Sequence, residues 1–168
     1  KKGLQIFAQN SSLQKIQRSE SASVIRSELM IPTDTTLLSR SRLISLIDER
    51  FKDWRGIQAI ALVGMGGAGK TTLARQYARQ QQADIIWEVN AETKETLNEA
   101  FEDLADRLAI TPEDQRILTG IIKLKDFDKR EEKIVQFVKE KLRTYQNWFL
   151  VYDNVEKFAD IQNHFPKD

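Results

Sequence analysis

One eight-residue stretch, residues 64–71, constrains this chain more than any other part of it. Its sequence Gly-Met-Gly-Gly-Ala-Gly-Lys-Thr fits the pattern G-x-x-x-x-G-K-[ST] of a phosphate-binding P-loop. Wrapping a triphosphate takes several backbone N–H groups at once. Gly at four of the first six positions removes the side chains and φ restrictions that would block this wrap. We expect Lys70 to reach the outer phosphates and the Thr71 hydroxyl to ligate Mg²⁺.

The segments on either side of the loop match what a P-loop requires. Residues 57–63 predict a buried strand, and residues 72–81 predict a helix without Gly or Pro. In this order the helix N-terminus directs its partial positive charge at the bound anion. The sequence therefore predicts a nucleotide-binding protein, in which the phosphate contacts come from Gly64, Met65, Gly66, Gly67, Ala68, Gly69, Lys70, Thr71 and Thr72.

A second candidate site element lies about eighty residues further on. The apolar run 148–152 ends in Asp153 and is typical of a fully buried parallel strand. An acid at the carboxyl tip of such a strand lies in the crevice where α/β sheets bind ligands. We interpret it as a Walker B motif whose Asp153 holds Mg²⁺ through water.

The remaining patterns alternate between helix and strand. Residues 85–90 predict a second strand, and apolar spacing predicts helices over 43–51, 93–109 and 128–145. Thr111 and Pro112 predict the start of a looser helical segment, and residues 120–127 give no clear signal. The alternation predicts a three-layer α/β P-loop NTPase fold with a parallel sheet, incomplete at its C-terminus.

Composition narrows the classes of function. A net charge of +1 gives no overall electrostatic field that would attract nucleic acid or an anionic membrane, and the absence of Cys fits a reducing, cytoplasmic location.

The sequence also predicts how the chain is divided. Residues 1–36 are polar and unpatterned, so we expect them to form a linker or the end of an upstream domain, and we expect residues 37–168 to form the nucleotide-binding domain. The start at Lys1 suggests an excised piece. The single histidine, His164, has no ligand partner nearby in sequence and is expected at the surface.

Several classes of P-loop protein are disfavoured because their characteristic motifs do not occur in this sequence. No Asn-Lys-x-Asp motif of the guanine-specific GTPases occurs, and the signature Lys of partition-type ATPases would fall on Met65. Small-molecule kinases usually carry an Arg-rich lid after the second strand, whereas residues 91–114 hold eight acids and two bases. A phosphotransferase acting on a small molecule nevertheless stays open as the alternative to a signalling ATPase.

Three stretches resemble the NB-ARC family within the STAND class of signalling NTPases. Residues 64–74 are similar to its P-loop, residues 86–91 to its W-[IV]-[DN]-A stretch, and residues 150–155 to its Walker B motif. Residues 37–40 fall where members carry a hydrophobic-hydrophobic-Gly-Arg turn over the adenine. The resemblance therefore implies base contacts from Leu37, Leu38 and Arg40.

The resemblance also implies an activity. Members of the family rest with ADP bound, self-associate with ATP bound to activate an attached effector, and serve signal transduction, including innate immunity. Here Asn154 stands where many relatives have a second acid, and an amide cannot accept the proton of the attacking water, so hydrolysis should be slow. The family's later parts, its ARC subdomain and sensor repeats, do not occur among the 168 residues. We take Lys70, Asp153 and Asn154 as the catalytic candidates, and Thr71 and Asp153 as the Mg²⁺ ligands.

In the family's sheet, a strand that follows Walker B lies between the P-loop strand and the Walker B strand. We therefore expect this gap to be open in residues 1–168 unless more chain or a partner fills it.

Overall fold

The computed structural model describes residues 4–11, 25–31, 40–51 and 56–166. Within these ranges the structure contains five strands and six helices. In chain order they are β1 (Leu4–Ser11), β2 (Ile25–Arg26), α1 (Ser41–Phe51), β3 (Gly56–Val63), α2 (Lys70–Gln80), β4 (Ile85–Asn90), α3 (Lys94–Leu108), α4 (Pro112–Ile122), α5 (Phe127–Thr144), β5 (Asn147–Val155) and α6 (Phe158–Ile161).

The five strands form one sheet in the order β2-β4-β5-β1-β3. Strands β2, β4 and β5 are parallel, with Ile85 opposite Trp148 and Asn90 opposite Asp153. Strand β1 is antiparallel to both β5 and β3, so β3 runs in the same direction as β4 and β5. The predicted α/β fold with parallel strands is confirmed, with one antiparallel strand inserted into it.

Residues 1–36, predicted to be a polar linker or the end of an upstream domain, contain two strands that the sequence analysis does not predict. Leu4–Ser11 forms the full-length strand β1, and Ile25–Arg26 forms the short edge strand β2. The sequence LQIFAQNS alternates apolar and polar residues over only part of its length, and its Gln, Asn and Ser residues make the segment too polar to be recognised as a strand from the pattern alone. Its strand conformation depends on two distant partners, β3 and β5, which no local signal reveals. The division into a linker and a nucleotide-binding domain stays a prediction.

Helices cover both faces of the sheet. On one face, α1 and α2 bury Ile47, Phe51 and Tyr77 against Phe149 and Val151. On the other face, α3, α4, α5 and α6 pack on a larger core that includes Trp87, Trp148, Leu150 and Tyr152. Alternate strand residues point to opposite faces, so Ile86 and Phe149 contact α2 while Ile85 and Trp148 contact the other layer. This is the predicted three-layer arrangement.

Local sequence signals explain where helices α3 and α4 begin. Thr93 and Thr111 each accept a hydrogen bond from the backbone N–H three residues later, which satisfies a donor that the first turn leaves unpaired. Pro112 follows Thr111 at the first helical position. Helix α4 continues past Gly120 to Ile122, so part of the stretch without a clear sequence signal is helical.

Two expectations about burial are wrong. Strand β3 was expected to be buried, but it lies at the edge of the sheet and Val63 is 73% exposed. His164 was expected at the surface, but its side chain is only 4% exposed and packs edge-on against Phe101 at 4.9 Å between ring centroids. Among the described helices, none has both the length and the apolarity needed to span a membrane.

Candidate phosphate and metal site

The P-loop connects the carboxyl end of β3 to the first turn of α2. Gly67 and Gly69 have φ angles of 77° and 73°, in the left-handed region that a side chain disfavours. Gly69 is the N-cap residue of α2, and no side chain caps this helix. The loop therefore turns its backbone around the helix N-terminus, the arrangement that binds phosphate in P-loops.

Two basic side chains close over the backbone of the loop. The Lys70 Nζ donates to the carbonyl oxygens of Gly64 and Met65, at 3.1 and 3.0 Å. From the residue before α1, Arg40 Nη1 donates to the carbonyl oxygens of Ala68 and Gly69, at 3.2 and 3.0 Å. Both cations neutralise the outward carbonyl dipoles of the loop and add positive charge beside the predicted phosphate position.

The two predicted metal ligands meet where the first turn of α2 lies over the end of β5. Thr71 Oγ1, at the second residue of α2, donates to Asp153 Oδ1 at 3.0 Å, although 82 residues separate them in sequence. Asp153 is 5% exposed, and its Oδ1 also accepts from the backbone N–H of Asn154 at 2.8 Å. A hydroxyl and a carboxylate at hydrogen-bond distance can share one Mg²⁺ ion, so the pairing on which the Walker B interpretation depends is present.

Asn154 is fixed at the rim of the site by its neighbour strand. Its backbone has a φ of 62°, and its Nδ2 donates to Asn90 Oδ1 at 3.2 Å. Asn90 Oδ1 also accepts from the backbone N–H of Glu92, which orients the Asn90 amide. The Asn154 side chain therefore contacts the end of β4, and its catalytic role stays a prediction; its amide group cannot take up a proton.

Sequence reasoning missed an ion pair beside this site. Arg75 on α2 donates through Nε and Nη2 to the two carboxylate oxygens of Glu88 on β4, at 2.7 and 2.5 Å, and through Nη1 to the carbonyl of Met30 at 3.0 Å. The hydrogen bond to Glu88 raises the pKa of the Arg75 guanidinium, as do the charges of Glu88 and Asp153 against the opposing effect of burial. Two signals point to this pair: Arg75 follows Thr71 by one helical turn, and Glu88 is a lone charge inside a buried strand.

The described residues fit a magnesium–nucleotide complex better than a metal ion held by protein alone. No cluster of three or more His, Cys, Asp or Glu side chains that could hold a metal occurs among them. Mg²⁺ is commonly bound by one or two protein ligands together with substrate phosphates, which matches Thr71 and Asp153 beside a P-loop. Lys70 and Thr71 begin α2 and Thr71 contacts Asp153, so these three residues lie near one another, and their roles stay a prediction. Thr72 follows on the same helix, and Leu37 and Leu38 lie outside the described residues.

Comparison with known proteins agrees with this geometry. The family described as "AAA domain" matches residues 54–166, about two thirds of the chain. A gas vesicle ATPase of Halobacterium salinarum, GvpN1, is similar over 110 residues at 24% identity. This match covers 65% of the chain but only 31% of that protein. No solved structure gives a significant match.

Proposed function

We propose that this chain, which belongs to the AAA domain family of P-loop NTPases, is the ATP- and ADP-binding part of a slow ATPase that acts as a molecular switch. The observation that carries the proposal is the hydrogen bond of 3.0 Å between Thr71 and Asp153, beside a glycine loop whose lysine lies over it. A glycine loop, a lysine, a hydroxyl and a carboxylate near one helix N-terminus support the proposal that phosphate and Mg²⁺ bind there.

The ATPase part of the proposal has two supports. The similar gas vesicle protein is named an ATPase. In this chain the groups suited to Mg²⁺ are present, but the adjacent residue is Asn154, which can orient a water molecule without accepting its proton. Hydrolysis is then limited by the weak activation of water, and the bound nucleotide persists long enough to serve as a signal.

The switch part of the proposal rests on the resemblance to the NB-ARC family. In that scheme the ADP-bound form is inactive, and the ATP-bound form self-associates and activates an attached effector in signal transduction. Physically, a γ-phosphate and its Mg²⁺ can bias two arrangements of a protein only through contacts that differ between them. Arg40, which lies on the P-loop backbone and belongs to the segment before α1, is a candidate for such a contact.

Nucleotide binding is tested by calorimetry with ADP, ATP, GDP and GTP in the presence of Mg²⁺. We expect the adenine nucleotides to bind more tightly, because no guanine-reading motif is present in the sequence. A preference for GDP over ADP in direct competition contradicts the adenine assignment. Failure of every nucleotide to bind contradicts the proposed function as a whole.

Slow hydrolysis is tested with the variant Asn154→Asp. A carboxylate can polarise the attacking water, and a general base contributes about 10²–10⁴-fold, so we expect ATP turnover to rise by about tenfold or more even with imperfect alignment. Asn154→Ser serves as the matched control because it adds no base. Equal turnover in the parent and in both variants contradicts the role assigned to this position.

The switch itself is tested by light scattering of the protein with ADP or with a non-hydrolysable ATP analogue. We expect a larger assembly with the ATP analogue. An identical mass in both states, with both nucleotides bound, contradicts the switch and leaves the nucleotide-binding assignment intact.

A further inference from the structure

The face of the sheet that contacts α2 carries two carboxylates close to the P-loop helix. The two carboxylates are those of Glu88 on β4 and Asp153 on β5. Glu88 shares a face of β4 with Asn90, because alternate strand residues share a face, and Asn90 is opposite Asp153 in the register of β4 and β5. Helix α2 contributes Thr71 and Arg75, which are four residues apart and therefore share one side of the helix. Thr71 pairs with Asp153, and Arg75 pairs with Glu88.

The two carboxylates differ in how their charge is compensated. Glu88 is held in a bidentate pair by the Arg75 guanidinium, with its side chain 14% exposed and that of Arg75 27% exposed. Asp153 Oδ1 accepts hydrogen bonds from two neutral donors, the Thr71 hydroxyl and the Asn154 backbone N–H, and the charge of Arg75 also acts on this carboxylate. A fork-shaped guanidinium satisfies both oxygens of one carboxylate, so it removes Glu88 as a ligand while leaving Asp153 Oδ1 next to the hydroxyl of Thr71.

We propose that Arg75 is a positioning residue that withholds Glu88 from the cation bound at Thr71 and Asp153, so that the site offers one carboxylate instead of two. This inference rests on the proposed binding of a magnesium–nucleotide complex. The affinity of hard cations for oxygen sites rises with the number of charged ligands. With a single carboxylate the site binds bare Mg²⁺ weakly, and the cation arrives with the nucleotide phosphates.

Arg75 also has a structural contact, which the test must separate from its effect on charge. Its Nη1 donates to the Met30 carbonyl, and Arg79, one turn later on α2, donates to the Leu29 carbonyl. Both arginines therefore fasten residues 29–30 to α2. Arg79 is the matched control, because it makes the same kind of backbone contact and the structure gives it no bond to Glu88.

The test measures the affinity for Mn²⁺ without nucleotide, by electron paramagnetic resonance, in the 168-residue protein. We expect Arg75→Met to tighten Mn²⁺ binding by about tenfold, since the released Glu88 adds one negative charge close to a divalent cation. Arg75→Lys, which keeps the charge, should stay near the parent, and so should Arg79→Met. Glu88→Gln should not tighten binding, and the double variant Arg75→Met/Glu88→Gln should return to within about threefold of the parent.

Two further measurements make the result decisive. Urea unfolding of each variant reports lost contacts, and Arg75→Gln provides a second charge-removing variant should Arg75→Met fail to fold. Equal Mn²⁺ affinity in the parent and in a folded charge-removing variant overturns the inference, and so does tighter binding that persists in the double variant. Calorimetry of Mg-ADP with the parent protein separates the two proposals: no binding there contradicts the proposed function, whatever the Mn²⁺ results are.

Discussion

Replacement of Gly69 by alanine tests the P-loop geometry at its tightest point. Gly69 has a φ of 73°, and a Cβ built on it lies within clashing distance of Arg40 Nη2 and 3.0 Å from Arg40 Cζ and Nη1. Gly67 is the matched control in the same loop. Its φ is 77°, but a Cβ there meets nothing within 4 Å. Gly67→Ala therefore introduces backbone strain alone, and Gly69→Ala introduces strain together with displacement of Arg40.

The expected magnitudes follow from these two effects. A left-handed conformation costs a residue with a Cβ about 1–2 kcal/mol, which is the loss expected for Gly67→Ala. The clash at Gly69 is with the end of a flexible side chain, so Arg40 can move away, but it then loses its bonds to the carbonyl oxygens of Ala68 and Gly69. Hydrogen bonds that involve a charged group contribute about 1.5–3 kcal/mol each when buried, and these are partly exposed, so we add about 1–2 kcal/mol. Gly69→Ala should thus cost about 2–4 kcal/mol.

Urea unfolding of four proteins measures these values: Gly67→Ala, Gly69→Ala, Arg40→Ala and the double variant Arg40→Ala/Gly69→Ala. Because the clash and the lost bonds both involve Arg40, the double variant should cost less than the sum of its single variants by about 1 kcal/mol. Additive costs at Arg40 and Gly69, or equal costs at Gly69 and Gly67, refute the contact between Arg40 and the loop.

Three further predictions concern other parts of the molecule. Lys70→Ala removes a charge-assisted phosphate contact and should weaken Mg-ATP binding by about 1.5–3 kcal/mol in calorimetry, and unchanged affinity contradicts the P-loop assignment. Burial lowers the pKa of His164 to about 4, below its ordinary value of 6.5, so the unfolded chain binds the proton more readily between these values. Stability should therefore be fully present above about pH 6.5 and fall by up to about 3 kcal/mol toward pH 4, a loss that His164→Gln should reduce in urea unfolding at both pH values. Removal of residues 1–11 takes β1 out of the sheet and should abolish cooperative unfolding and ADP binding, whereas a cooperative, ADP-binding truncated protein contradicts the central placement of β1.

The parts of the fold that the sequence predicts are those with local signals. The P-loop, the strand 85–90 and the helix starts at Thr93 and Thr111 each depend on residues a few positions apart, such as a glycine spacing or a capping hydroxyl. The pairing of Thr71 with Asp153 is also predictable, because a glycine loop and an acid-tipped buried strand meet at one edge of a parallel sheet.

The parts that the sequence does not predict depend on distant partners. His164 is buried because it packs against Asn98 and Phe101 on α3, with its Nε2 3.1 Å from Asn98 Oδ1. The sequence near position 164 contains no signal that predicts these contacts. The Arg75–Glu88 pair likewise needs the docking of α2 on β4 before the two charges meet. In both cases the side chain is polar and tertiary contacts determine its burial, so composition alone favours the surface.

The placement of β1 follows from the spacing that the site requires. Neighbouring strands lie about 4.8 Å apart, so one strand between β3 and β5 separates them by about 9.6 Å. The P-loop leaves β3 and must bring Thr71 on α2 over the tip of β5, where its hydroxyl lies 3.0 Å from Asp153. The gap that the family resemblance leads one to expect between these two strands is filled by β1, which pairs with β3 from Leu4 to Ser11 and with β5 through Leu4 and residues 6–11, with an irregularity at Gln5. Any occupant of that position, parallel or antiparallel, satisfies the backbone groups of both neighbours and fixes the same separation. The direction of the strand is therefore free to vary, while its presence is required for the Thr71–Asp153 geometry.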